Sequence, residues 1–194
     1  MFLSTVGWII GGIVLLLVVI VIIWFISGYN KLVVLRNKVK NAWSQIDVQL
    51  KRRFDMIPNL VETVKGYAKH EESIFGEFAK ARGLYQSASQ SGDVKGMAEA
   101  NKGLSGVLSR LLVVTEQYPE LKANENFKTL MSDLKESEDK ISYTRQFYND
   151  TALGYNNVVE KFPMLILARL FKFDPAEFFQ VTDEAQREAP KVQF

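Results

Sequence analysis

Hydrophobic and polar positions alternate in two different ways along this chain. From Val6 to Ile26 no charged side chain occurs. At 1.5 Å per residue that run is about 30 Å long, the thickness of a bilayer hydrocarbon core. Trp8 and Trp24 stand near its two ends, where amphipathic rings favour the membrane–water boundary. A cleaved signal peptide would need a basic start, a shorter apolar core and a small-residue cleavage site. No Lys or Arg precedes the run, and Phe25-Ile26-Ser27-Gly28 is a poor cleavage site. The expectation is a retained transmembrane anchor over residues 1–28. Gly7 and Gly11, with Gly12 beside them, give a small-xxx-small spacing along which two such helices can approach closely.

Beyond the run the pattern becomes helical. Leu32, Leu35, Val39, Ala42, Ile46 and Leu50 recur at steps of three and four, widened by Trp43 and Phe54. This predicts that the membrane helix continues to Ile57, where Pro58 disfavours helix in the preceding residue. A second helix is predicted from Pro58, carrying Leu60, Val64, Phe75, Phe78, Ala81 and Tyr85. Small polar residues from Ser87 to Gly92 predict a turn, and Asp93 an N-cap. The third helix carries Met97, Leu104, Val107 and Leu111 and stops at Tyr118-Pro119. A long fourth runs from Phe127 to Phe162, with Pro163 ending or kinking it. Asp174-Pro175-Ala176-Glu177 reads as a capping box opening a short last helix. No stretch of strict alternation competes. The fold class expected is all-α: an N-terminal transmembrane helix continuing into an antiparallel four-helix bundle with long, coiled-coil-like helices. The bundle should occupy residues 29–180 and a polar tail residues 181–194.

Charge sets the orientation. Lys31, Arg36, Lys38 and Lys40 come after the span, and no basic residue lies before it. The positive-inside rule then puts the N-terminus outside and the C-terminal domain in the cytoplasm. These four are also candidates for contact with an anionic lipid surface. Seven basic residues and one acid, Asp47, lie between residues 31 and 53. Since the whole chain is only +2, the remainder is net negative. So small a surplus gives no reason to expect nucleic acid.

Composition narrows the chemistry. The chain has no cysteine, which excludes disulfides, Cys-based zinc sites and thiol nucleophiles. Its single histidine, His70, sits in His70-Glu71-Glu72 without the facing ligands a metal site needs. Glu136, Glu138 and Asp139 form an acidic cluster that reads as the wet face of a helix rather than an acid–base pair. Gly103 and Gly106 lie inside a helical pattern, where close packing explains them better than phosphate binding. No phosphate loop or nucleophile elbow occurs. No catalytic residue, metal or cofactor is expected. The segment from Pro163 to Phe179 is too apolar for a solvated tail. Leu170, Phe171, Phe173, Phe178 and Phe179 either fold back over the bundle or form a docking patch for a second protomer, another protein or the bilayer.

Several runs resemble one family. The stretch Asn41-Ala42-Trp43-Ser44-Gln45-Ile46-Asp47 through Arg52-Arg53-Phe54-Asp55-Met56-Ile57-Pro58-Asn59-Leu60-Val61 is similar to the signature of the LemA family. So are Gly66-Tyr67-Ala68, Tyr118-Pro119-Glu120-Leu121, Phe147-Tyr148-Asn149, Tyr155-Asn156 and Phe162-Pro163. The closing Ala189-Pro190-Lys191-Val192-Gln193-Phe194 resembles the usual tail. Ser142-Tyr143-Thr144 departs from it, where smaller apolar residues would be expected. The resemblance implies a bacterial protein with one N-terminal span and a cytoplasmic antiparallel helical bundle. It implies no activity, cofactor or catalytic residue.

The functional expectation is a membrane-anchored, non-catalytic helical scaffold at the inner membrane face. Its partners would be the bilayer, copies of itself and other membrane proteins. The alternative is a membrane-tethered sensor or regulator that binds a small ligand or lipid inside its bundle.

Overall fold

A computed structural model of the chain describes residues 2–66 and 72–180. Helices α1 (Phe2–Lys65), α2 (Glu72–Ser91), α3 (Val94–Glu116), α4 (Pro119–Ala123), α5 (Glu125–Glu160) and α6 (Met164–Leu170) succeed one another in order. No strand occurs among the described residues. The protein is all-α, with one long apolar N-terminal helix. The chain divides into two compact units. One holds Met1–Asn41 and Asp150–Ala176, the other Ala42–Asn149 and Glu177–Phe194.

The second unit is a four-helix bundle made from the C-terminal part of α1, from α2 and α3, and from the N-terminal part of α5. The heptad-like stripe forms its core. Ala42, Ile46, Leu50, Phe54, Ile57 and Leu60 of α1 are buried, together with Met97, Leu104 and Leu111 of α3 and Leu134, Ile141 and Tyr148 of α5. Neighbours run antiparallel. Trp43 packs on Tyr148 while Arg53, ten residues further along α1, meets Glu138, ten residues earlier on α5. Phe54 stacks on Tyr85 at 4.5 Å, and Asp47 accepts a hydrogen bond from Ser89 at 3.0 Å, so α2 descends as α1 rises. The α2–α3 turn is tight because Gly92 adopts φ +70. Asp93 N–H then reaches back to the Ala88 carbonyl at 2.9 Å, closing α2, while its carboxylate accepts from Gly96 N–H at 3.0 Å, opening α3.

The expected break at Pro58 does not occur. Pro58 lies inside α1, which runs on to Lys65. Its ring removes one backbone hydrogen bond and crowds the carbonyl four residues earlier, a cost of about 3 kcal/mol in a helix interior. Ile57, Leu60, Val61 and Val64 are all buried on both sides of it, and burying that stripe outweighs the lost bond. The second helix therefore begins at Glu72 instead of Pro58. The turn is also shorter than expected, since α2 extends to Ser91. An additional helical turn, α4, opens on Pro119 after the third helix. The helix expected at Asp174 is absent; residues 173–180 are non-helical. The short last helix is α6 instead, and Phe171 caps it.

Candidate functional site: a buried arginine, a clamped strap and an aromatic collar

Three arrangements stand out. The first is in the bundle. Arg53 is 3 % exposed. Its Nη1 donates to Asn101 Oδ1 at 2.6 Å, and its Nη2 lies 2.5 Å from Glu138 Oε2 and donates to Ser105 Oγ at 3.3 Å. Its Nε finds no acceptor. Burial lowers the guanidinium's affinity for its proton, while Glu138 raises it; an arginine keeps its charge regardless. Opposite, Asp47 accepts from the Tyr85 hydroxyl at 3.1 Å as well as from Ser89. Burial first, and then the Asp47 carboxylate, pushes the Tyr85 phenol well above its usual range. Open surface clefts of about 690 Å³ and 510 Å³ flank these two groups. Hydrogen bonding to Lys140, and then its charge, holds the Glu136 carboxyl below the usual range. Of the other cluster members, Glu138 serves Arg53 and Asp139 is exposed. His70 and Glu71 lie outside the described residues. Among the described residues no cluster of three His, Cys, Asp or Glu side chains could hold a metal ion.

The second arrangement is a repeated Tyr-Asn clamp on α5. In the bundle unit, the Tyr148 hydroxyl donates to the Glu177 carbonyl at 2.7 Å. Asn149 pairs with both backbone groups of Phe179. Seven residues on, in the other unit, the Tyr155 hydroxyl donates to the Asp174 carbonyl at 3.0 Å. Asn156 there donates to the Ala176 carbonyl at 2.9 Å and accepts from its N–H at 2.7 Å. Burial raises both phenols, Tyr148 to about 12. These asparagine amides take up backbone groups that a helix would need, which is why the capping-box sequence at Asp174 stays non-helical.

The third arrangement surrounds the end of the apolar run. Phe171 packs edge-on against Phe25 at 5.7 Å and Tyr29 at 4.8 Å. Phe173 meets Tyr29 at 5.8 Å, and the Arg36 guanidinium covers its ring at 4.6 Å. Gly28 allows this approach, since a Cβ there would lie 2.6 Å from Leu167 Cδ1.

The candidates expected from the sequence take up varied surroundings. Trp8 is 83 % exposed, Ile26 is exposed, and Trp24 is at the edge of exposure. A Cβ at Gly7, Gly11 or Gly12 would meet nothing within 4 Å. The side chain of Val6 lies outside the described set. Lys31, Lys38 and Lys40 are exposed, and Arg36 is half-buried. Phe173 and Phe179 are buried in the chain's own fold, Phe178 is half-buried, and Leu170 and Phe171 stay exposed. Sequence reasoning missed the clamp, although its signal is visible as Tyr-Asn recurring after seven residues.

A model described as the LemA family matches residues 42–194, the whole of the bundle unit together with the C-terminal segments. The chain belongs to the LemA family. Among its relatives, Magnetosome protein MamQ 2 of Paramagnetospirillum magneticum is 29% identical over 186 residues, covering 84% of this chain and 68% of that protein. Magnetosome protein MamQ of Magnetospirillum gryphiswaldense is 26% identical, covering 78% of this chain and 64% of its own length. Protein LemA of Metamycoplasma hominis is 23% identical, covering 82% and 72%. The matched region contains the Arg53 network and both Tyr-Asn clamps. The apolar run lies before it, in a helix with an unburied 18-residue stretch long and apolar enough to cross a membrane. This LemA-family chain is thus a membrane-associated helical protein.

Proposed function

We propose that the protein is a membrane-anchored, non-catalytic scaffold that self-associates at the inner membrane face and holds an interaction bundle there. One observation carries the reading. α1 is a single helix, Phe2–Lys65, which exposes large apolar side chains from Trp8 to Ile26 and whose C-terminal part supplies bundle core. An element shared in this way keeps the bundle tethered wherever the apolar part resides. The open glycine face at Gly7 and Gly11 supports association between spans. The basic residues just after the span, with none before it, support an N-out, C-in orientation. The MamQ relatives carry the name of magnetosomes, which fits a protein working inside a larger assembly.

The ligand-binding sensor reading has less support. The bundle interior is occupied by fully buried side chains such as Leu50, Ile57, Met97 and Leu104, and the clefts beside Arg53 and Asp47 are open to solvent. Counting photobleaching steps of the full chain, fluorescently tagged and extracted with its native lipids, tests the scaffold. Two or more steps per particle are expected, falling toward one in Gly7→Leu/Gly11→Leu. A single step in the unmodified chain defeats self-association.

A further inference from the structure

The end of the apolar run and α6 are locked together within one unit. Met164 and Leu167 close on Gly28, and Phe171 packs on Phe25 and Tyr29. Gly28 lies two residues beyond Ile26, a rise of about 3 Å along a helix. Phe25 is still inside the uncharged run, and Lys31 is the first charged residue after it. Whatever depth the end of the run takes, α6 takes the same.

α6 has two faces. Leu167 and Ala168 are buried, at 0% and 1% exposure. On the other side Ile166 and Leu170, four apart, are 56% and 63% exposed, and Phe162, two residues ahead of the helix, is 79% exposed. Arg169 on the helix, and Lys161 and Lys172 to either side of it in the chain, are exposed. The helix is held in this pose by its own ending. Lys172 adopts φ 54, and Phe173 N–H reaches the Ala168 carbonyl at 2.9 Å, which turns Phe173 back into the collar. Large apolar groups rimmed by cations are the pattern of an element lying in the plane of a membrane surface. Anionic headgroups complement the cations, and acyl chains accept the apolar side chains.

We propose that α6 lies in the headgroup layer of the bilayer as a second, in-plane membrane contact, with Ile166 and Leu170 against the acyl chains. This rests on the membrane-anchored reading of α1. The occupant is lipid rather than a second copy because α6 is locked to Gly28 and Phe25, at the end of the span where the chain leaves the hydrocarbon.

Because the chain has no cysteine, single substitutions report depth directly. The full chain carrying Ile166→Cys or Leu170→Cys is labelled with an environment-sensitive fluorophore and reconstituted in phosphatidylcholine–phosphatidylglycerol vesicles. Leu17→Cys reports the span and Ser132→Cys the bundle. Shallow nitroxide lipids should quench the labels at 166 and 170, and aqueous iodide should not. The label at 17 should respond to deep nitroxides and the label at 132 to iodide alone. If iodide quenches 166 and 170 while 17 remains lipid-quenched, the in-plane contact is wrong and the anchor stands. If 17 is also lipid-free, anchoring fails and takes this proposal with it. A label at 166 shielded from both quenchers, with unlabelled Ile166→Cys chains oxidising to disulfide-linked dimers, would assign the face to a second copy and overturn the proposal.

Discussion

Asn149 treats Phe179 as a neighbouring strand would. Its Oδ1 accepts the Phe179 N–H at 2.9 Å, and its Nδ2 donates to the Phe179 carbonyl at 3.2 Å. Both backbone groups of a residue that is 1 % exposed are thereby satisfied by one side chain. Asn149→Ala leaves them unpaired, at about 1–3 kcal/mol. Thermal unfolding in detergent should drop accordingly, and protease should cut the strap between residues 173 and 180 faster. Asn149→Asp should not rescue, because the carboxylate lacks the donor that the Phe179 carbonyl needs. Unchanged cleavage in Asn149→Ala would show that the Asn149 pair does not hold the strap.

Arg53 makes a second, independent prediction. Its guanidinium is buried while Glu138 is about half exposed, so removing the arginine leaves a carboxylate that water can reach. The larger loss is the Asn101 carbonyl, abandoned inside the bundle. Arg53→Leu should cost about 2–3 kcal/mol. A double-mutant cycle with Glu138→Gln should show the two changes to be less than additive. Full additivity would mean that the ion pair contributes nothing to stability.

Alkaline stability depends on the phenols. Tyr148 sits near 12 in the fold against 10.0 ordinarily, chiefly because burial disfavours its phenolate, with Glu177 adding to the effect. A raised value means that the folded chain holds this proton more tightly than the unfolded chain. Its contribution is complete below about pH 10 and is lost as pH rises from there through about 12. Urea midpoints measured between pH 8 and 12 should fall across that window. In Tyr148→Phe the fall should be shallower, since a non-ionising ring has no proton to lose.

Pro58 offers a test in the stabilising direction. It occupies the interior of α1, where its ring denies one backbone hydrogen bond. Pro58→Ala restores that donor opposite the Phe54 carbonyl and should raise stability by about 1–3 kcal/mol. Circular dichroism melts check it. A lower melting temperature would mean that the ring's own packing outweighs the bond.

Much of this architecture is legible in the sequence because it is written in local periodicity. The stripe from Leu32 to Leu50 fixes which face of α1 is buried, and Asp93 caps α3 where a capping residue should. Expectation and structure part where distant groups decide. Pro58 reads as a boundary because a single residue cannot reveal that Ile57 and Leu60 are buried on either side of it. Asp174-Pro175-Ala176-Glu177 carries a sound local signal for a helix start. It is overridden because Asn156, twenty residues earlier on α5, reaches the backbone of Ala176. Gly28 has no local meaning at all. Its role appears only when Leu167 is seen resting on it.

On the anchored reading, residues 6–26 stay in the bilayer and carry the bundle with them. Alkaline carbonate extraction of cell membranes containing the full chain puts this to the test. The chain should stay in the pellet and float with lipid, and Leu16→Lys/Val19→Lys should release it to the soluble fraction. Recovery of the unmodified full-length chain in the supernatant would mean that the apolar run is no anchor.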